Sequence, residues 1–179
     1  MVASLFILGV DSAPAGLLPP RERSGVRSLD AMRVYLVRHG EAKSAEVDPA
    51  RRLTDAGADR VRRVAAHAVK ELDVRPERIF HSDKARARQT AEIWGELAGV
   101  PVEQGDGLAP NDDPARWATR LESEEADVML VGHLPHVERL VGLLVTGDPD
   151  RTLVGFPAGA LVVLDRGDDG WSVGGGPYT

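Results

Sequence analysis

Arg33-Val34-Tyr35-Leu36-Val37, a β-branched and aliphatic run, stops abruptly at Arg38-His39-Gly40. A short apolar run of this kind, closed by a turn residue, reads as a buried strand. Val128-Met129-Leu130-Val131 repeats the pattern and ends at Gly132-His133. Two of the most apolar strands in the chain therefore deliver a histidine beside a glycine.

Between these strands the pattern changes to helical spacing. A polar loop runs to Arg52, and Thr54 caps a helix with Asp55 near its positive end. Val61, Val64, Ala65, Ala68 and Leu72 then form one apolar helical face, and Pro76 is expected to stop it. Arg78-Ile79-Phe80-His81 reads as a second strand, and a helix follows from about Lys84 to Leu97, ended by Gly99. Val100 to Glu103 reads as a short strand. Asn111-Asp112-Asp113-Pro114 opens a helix that buries Trp117 and Leu121. Pro135 suits the first turn of a further helix carrying Val137, Leu140, Val141 and Leu144. Ala160 to Leu164 and Trp171 to Val173 read as a hairpin around Gly167-Asp168-Asp169-Gly170. Strands alternating with helices predict a three-layer α/β/α sandwich, its central sheet mostly parallel with an antiparallel edge.

Composition narrows the chemistry. The chain has 179 residues, 42% hydrophobic and 28% charged, as in an ordinary globular domain with an appendage. Residues 1–31 read as that appendage, either a disordered leader or a start placed upstream of Met32, with the domain running from 32 to 179. Ala13-Pro14-Ala15 imitates a signal cleavage site, but nothing basic precedes the apolar stretch before it. No run approaches the ~18 apolar residues of a membrane span. The absence of cysteine excludes disulfides, thiolate metal sites and a cysteine nucleophile, and suits a cytoplasmic protein. A net charge of −6 and only three Trp, two Tyr and three Phe disfavour nucleic acid as a partner. His, Arg, carboxylates and hydroxyls are left to do the chemistry.

In open α/β sheets, ligands bind at the carboxyl ends of the strands, so His39 and His133 are expected to face one crevice. His81-Ser82 ends the second strand, and Arg86 and Arg88 stand just inside the next helix. Arginines gathered in an acidic protein imply an anion, and phosphate suits their bidentate forks. Gly40 is expected to turn the chain sharply and to let a ligand approach the backbone. Neighbouring guanidinium groups should keep His39 neutral, and a backbone carbonyl on its other ring nitrogen would fix the tautomer. His67 and His136 read as exposed helix positions, and His81 as a residue that borders the crevice or packs there. Arg51 and Arg52 either line the mouth or solvate the loop, and Arg86 with Arg88 could equally form a solvated helix face. Zinc on His39, His133 and Glu41 or Asp113 is disfavoured, because two arginines would repel it.

Four ordered stretches resemble the histidine phosphatase superfamily, of phosphoglycerate-mutase-like fold, and especially its small SixA-like phosphohistidine phosphatases. They are Val34 to Ala42, with its Arg38-His39-Gly40; Arg52-Leu53-Thr54 with Gly57; Ser82 to Thr90; and Val131-Gly132-His133-Leu134-Pro135. The resemblance implies that His39 is a nucleophile forming a transient phosphohistidine. It also implies that Arg38, Arg86 and His133 clamp the phosphoryl oxygens, with no metal or organic cofactor. Gly40, Glu41, Ser82 and Gly132 would complete the substrate-binding surface. The partner would be a phosphorylated protein or a small phosphorylated substrate, with no nucleic acid and no membrane.

Asp83 stands where the family usually has proline, and no general acid is securely placed, with Glu41, Asp112 and Asp113 as candidates. Without such an acid the better substrate has an easily departing group, such as phosphohistidine. Few insertions fit between Met32 and Thr179, so a shallow, open cleft is expected. A sugar-phosphate or nucleotide phosphatase or mutase of the same superfamily is the alternative, and a non-catalytic phosphate-binding module is another.

Overall fold

The structure, a computed structural model, describes residues 32–179. The leader assigned to residues 1–31 lies outside the described residues. Six strands form one sheet in the order β3-β2-β4-β1-β5-β6. They are β1 (Arg33–Arg38), β2 (Arg78–His81), β3 (Val102–Gln104), β4 (Val128–Gly132), β5 (Leu161–Gly167) and β6 (Gly170–Tyr178). β1, β2, β3 and β4 are mutually parallel, while β5 and β6 add the antiparallel edge.

Four helices cover the sheet: α1 (Asp55–Glu71), α2 (Ala85–Ala98), α3 (Ala115–Glu122) and α4 (His136–Thr146). Alternate strand residues explain the layering, because successive side chains point to opposite faces. Tyr35, Val37, Met129 and Val131 pack with Val61, Ala65 and Ala68 of α1 and with Ala87, Ala91 and Trp94 of α2. Leu36, Leu130 and Leu164 pack on the other side with Trp117 and Leu121 of α3 and with Val137, Leu140 and Val141 of α4. Both faces of the central strands are thus covered, which is why they read as continuous apolar runs. Among the described residues, no helix is long and apolar enough to cross a membrane.

The local signals act as expected at α1, where the Thr54 hydroxyl accepts the Gly57 N–H at 2.9 Å. They act differently at its far end. The helix stops at Glu71, capped by Leu72, and Asp73 turns into the left-handed region at φ 54°, well before Pro76. The third strand begins at Val102 rather than Val100, because Val100 still donates to Gly95 in the cap of α2.

Candidate active site

β1 and β4 lie side by side in the middle of the sheet, with Arg38 opposite Gly132. The His39 N–H continues the ladder to the Gly132 carbonyl at 3.0 Å. This register brings two imidazoles together across a long sequence separation, their ring centroids 4.9 Å apart. Arg86, in the first turn of α2, reaches the same place.

His39 is fixed from two sides. Its Nδ1–H donates to the Gly40 carbonyl at 2.7 Å, while its Nε2 accepts the Arg86 Nε–H at 3.2 Å. An accepting Nε2 and a donating Nδ1 define a neutral ring with its lone pair aimed at a guanidinium group. Burial is the main reason the His39 pKa falls to about 4, and the charges of Arg86, Arg38 and Arg51 depress it further. Arginine charge is therefore a secondary cause, not the leading one that the sequence implied.

His133 is 1% exposed and shares a 2.6 Å hydrogen bond between its Nε2 and the Ser82 hydroxyl. Burial, then His39 and Arg86, bring its pKa down to about 3. Arg38 donates through Nη1 to the Phe156 carbonyl at 2.7 Å. Arg38 Nε and His133 Nδ1 are buried without a hydrogen-bond partner among the described residues. Buried polar atoms left unmet in this way are costly unless something else satisfies them, and both belong to residues expected to hold an anion, with the Arg38 Nε–H a free donor. Among the described residues, no three His, Asp or Glu side chains are grouped to hold a metal ion.

Several expectations change at this site. Gly40 has no left-handed backbone, and its N–H is already given to the Thr90 hydroxyl at 3.0 Å. Its small size serves packing: a Cβ there would lie 2.8 Å from Val61 Cγ2 and 3.2 Å from the Gly57 carbonyl. Gly132 likewise sits against α4, where a Cβ would come 3.0 Å from Val137 Cγ1. Arg88 is exposed and pairs with Glu92 at 3.5 Å along the surface of α2. His136 is fully buried instead of exposed, whereas His67 is exposed as expected. His81 is buried and donates Nδ1–H to the Ser82 carbonyl at 2.7 Å. Of the two loop arginines, Arg52 binds Asp48, while the charge of Arg51 acts on both His39 and Arg86.

The acid candidates divide. Exposed Glu41 accepts the Thr54 hydroxyl at 3.2 Å. Asp112 and Asp113 accept the backbone N–H groups of Ala109 and Ala115, and their charge falls on His136. Sequence reasoning missed Thr90 and Phe156. Thr90 both holds the Gly40 N–H and donates to the Arg86 carbonyl at 2.8 Å, tying β1 to α2. It closes the Ser82–Thr90 stretch, which is the signal that could have found it. The segment holding Phe156 carries no periodic signal.

Comparison with known proteins identifies the frame. Phosphohistidine phosphatase SixA of Escherichia coli (strain K12) is 33% identical over 146 residues, which cover 78% of this chain and 89% of SixA. The chain belongs to the histidine phosphatase superfamily. The model of its branch 1 matches residues 34–112. A structure of the protein histidine phosphatase SixA complexed with tungstate superposes with a TM-score of 0.71 at 30% identity. That match covers 80% of this chain and 95% of SixA. A mycobacterial glucosyl-3-phosphoglycerate phosphatase shares the fold at 19% identity, with a TM-score of 0.63 over 83% of this chain and all of that one. As a member of this superfamily the protein is a phosphatase.

Proposed function

We propose that this phosphatase hydrolyses phosphohistidine on a protein, or a similarly labile phosphate, through a phosphohistidine formed on His39. The supporting observation is the doubly fixed His39 ring, whose unprotonated Nε2 is presented beside Arg86. In the first step the Nε2–phosphorus bond forms as the bond to the leaving group breaks. The leaving imidazole takes its proton from water. In the second step water attacks the phosphorus, inorganic phosphate leaves, and His39 regains its lone pair. Arg38, Arg86 and His133 would hold the phosphoryl oxygens through both steps, where stabilising charge and alignment matter most.

Two of the three acid candidates are engaged elsewhere, which favours a labile leaving group. Asp112 and Asp113 are occupied in the turn before α3, where their charge falls on His136. A departing imidazole needs far less protonation than a sugar hydroxyl. The phosphohistidine phosphatase activity in the name of SixA points the same way, while the glucosyl-3-phosphoglycerate phosphatase shares only the fold.

The test is a turnover panel on purified protein, comparing a phosphohistidine protein with sugar phosphates, with and without chelator. Phosphohistidine should be preferred, and the chelator should leave the rate unchanged, since guanidinium groups would repel a divalent ion. His39→Ala should abolish turnover, and wild type should yield an acid-labile phosphoenzyme. Near-normal activity in His39→Ala would overturn the mechanism, and preference for sugar phosphates would overturn the substrate.

A further inference from the structure

The segment between Glu41 and Thr54 folds back on itself and leaves one arginine without a carboxylate partner among the described residues. Ala42 and Leu53 form an antiparallel bridge, and Lys43 N–H donates to the Arg52 carbonyl at 2.9 Å. Asp48 organises the tip by accepting the backbone N–H groups of Ala50 and Arg52, each at 3.1 Å, together with the Arg52 guanidinium. The loop is docked on α2, because Leu53 N–H donates to Gln89 Oε1 at 2.9 Å. Gln89 lies one helical turn from Arg86, so Arg51 is held two residues from that anchor.

Arg51 itself has φ 49°, a left-handed conformation uncommon for residues other than glycine, asparagine and aspartate. Its Nε donates to the Lys43 carbonyl at 3.3 Å, which leaves its terminal nitrogens to other partners. The nearby acid, Asp48, is already taken by Arg52. Arg51 is exposed, and its charge is felt by both His39 and Arg86. Three guanidinium groups thus bear on one imidazole. Arg38 and Arg86 already match the two negative charges of a phosphoryl group. A third cation on a loop docked one helical turn from Arg86, its charge acting on like charges there, is unfavourable until a further anion arrives.

We infer that Arg51 forms a second anion-binding position at the rim of the site, taking a carboxylate that the substrate carries beside its phosphoryl group. With Nε occupied, its terminal nitrogens can meet a carboxylate side by side. On a substrate protein that carboxylate is an Asp or Glu flanking the phosphohistidine. The inference rests on the phosphatase reading above.

The experiment compares kcat/KM for two substrate pairs in wild type, Arg51→Asn and Arg51→Lys. Asparagine tolerates the left-handed backbone, and melting curves check that the fold is kept. One pair is a phosphohistidine peptide with Asp or with Ser as neighbour. The other is 4-nitrophenyl phosphate against an aryl phosphate bearing a carboxylate. The preference for the acidic member should fall about five- to tenfold in Arg51→Asn, through KM, and Arg51→Lys, which keeps the charge but not the fork, should restore only part of it. An unchanged preference, whether both activities drop together or neither moves, overturns the inference. If wild type hydrolyses the aryl pair but neither peptide, the phosphohistidine reading fails while the aryl preference still judges Arg51.

Discussion

Lowering the pH should destabilise this protein, in part through the ring of His39, beside the still more depressed His133. In the folded state His39 takes up its proton only near pH 4, while in an unfolded chain an ordinary histidine does so at 6.5. Between those values the unfolded state binds more protons. Stability therefore falls as pH drops from 6.5 towards 4 and is regained as pH rises. At about 1.4 kcal/mol per pH unit, the gap amounts to roughly 3 kcal/mol, most of it due to burial with the neighbouring arginines adding to it. That is a sizeable part of the ~5–15 kcal/mol that holds a typical domain together. The assay is urea unfolding of wild type and His39→Gln at steps between pH 7 and pH 4. The glutamine variant cannot titrate at this position, so its advantage over wild type should grow by about 3 kcal/mol across the window. If both proteins lose stability in parallel, the ring of His39 is not held neutral by its surroundings, and the argument for a ready nucleophile fails with it.

Ser82→Ala removes the partner of a buried ring nitrogen. It should cost about 1–3 kcal/mol in unfolding free energy and lower kcat, because His133 loses its only side-chain tether among the described residues. Equal stability and unchanged kcat would show that the tether is dispensable. Gly57→Ala would drive a Cβ into the Glu41 carbonyl, a backbone group unable to swing aside. A loss of at least about 1–3 kcal/mol is expected on thermal melting, with activity falling as the β1–α1 turn shifts. A wild-type melting temperature in that variant would refute the packing described for this turn.

Much of this arrangement was legible in the sequence, for identifiable reasons. The central strands are apolar on both faces, so β1 and β4 stand out, and parallel neighbours deliver the residues beyond their ends to the same edge of the sheet. Thr54 and Gly99 announce helix ends through capping and the left-handed turn, and both act as read. Side-chain burial was harder to read, because it depends on a partner element rather than on local pattern. His136 looks polar and N-terminal in α4, yet it is fully buried beside Gly132 at the end of β4, with the charges of Asp112 and Asp113 acting on it. Gly40 looks like a hinge for ligand approach, but the close pressure of α1 explains it. Arg88 resembles Arg86 in sequence, and helical phase alone sends it outward to Glu92. The Phe156 carbonyl was invisible because a backbone acceptor in an irregular segment leaves no mark in residue type.

The His39–Gly132 bond attaches the pocket to the end of the central β1–β4 hydrogen-bond ladder rather than to a loop beside it. Local opening is cheap at the margins of a fold and approaches the cost of global unfolding at its centre. Fraying of β3 or β6 would therefore leave the paired imidazoles in place, while parting them requires the end of the β1–β4 ladder to open. Parting of the two imidazoles is then coupled to opening of β1 from β4, so amide exchange at His39 should follow that of the last β1–β4 pairs rather than that of the surrounding loops.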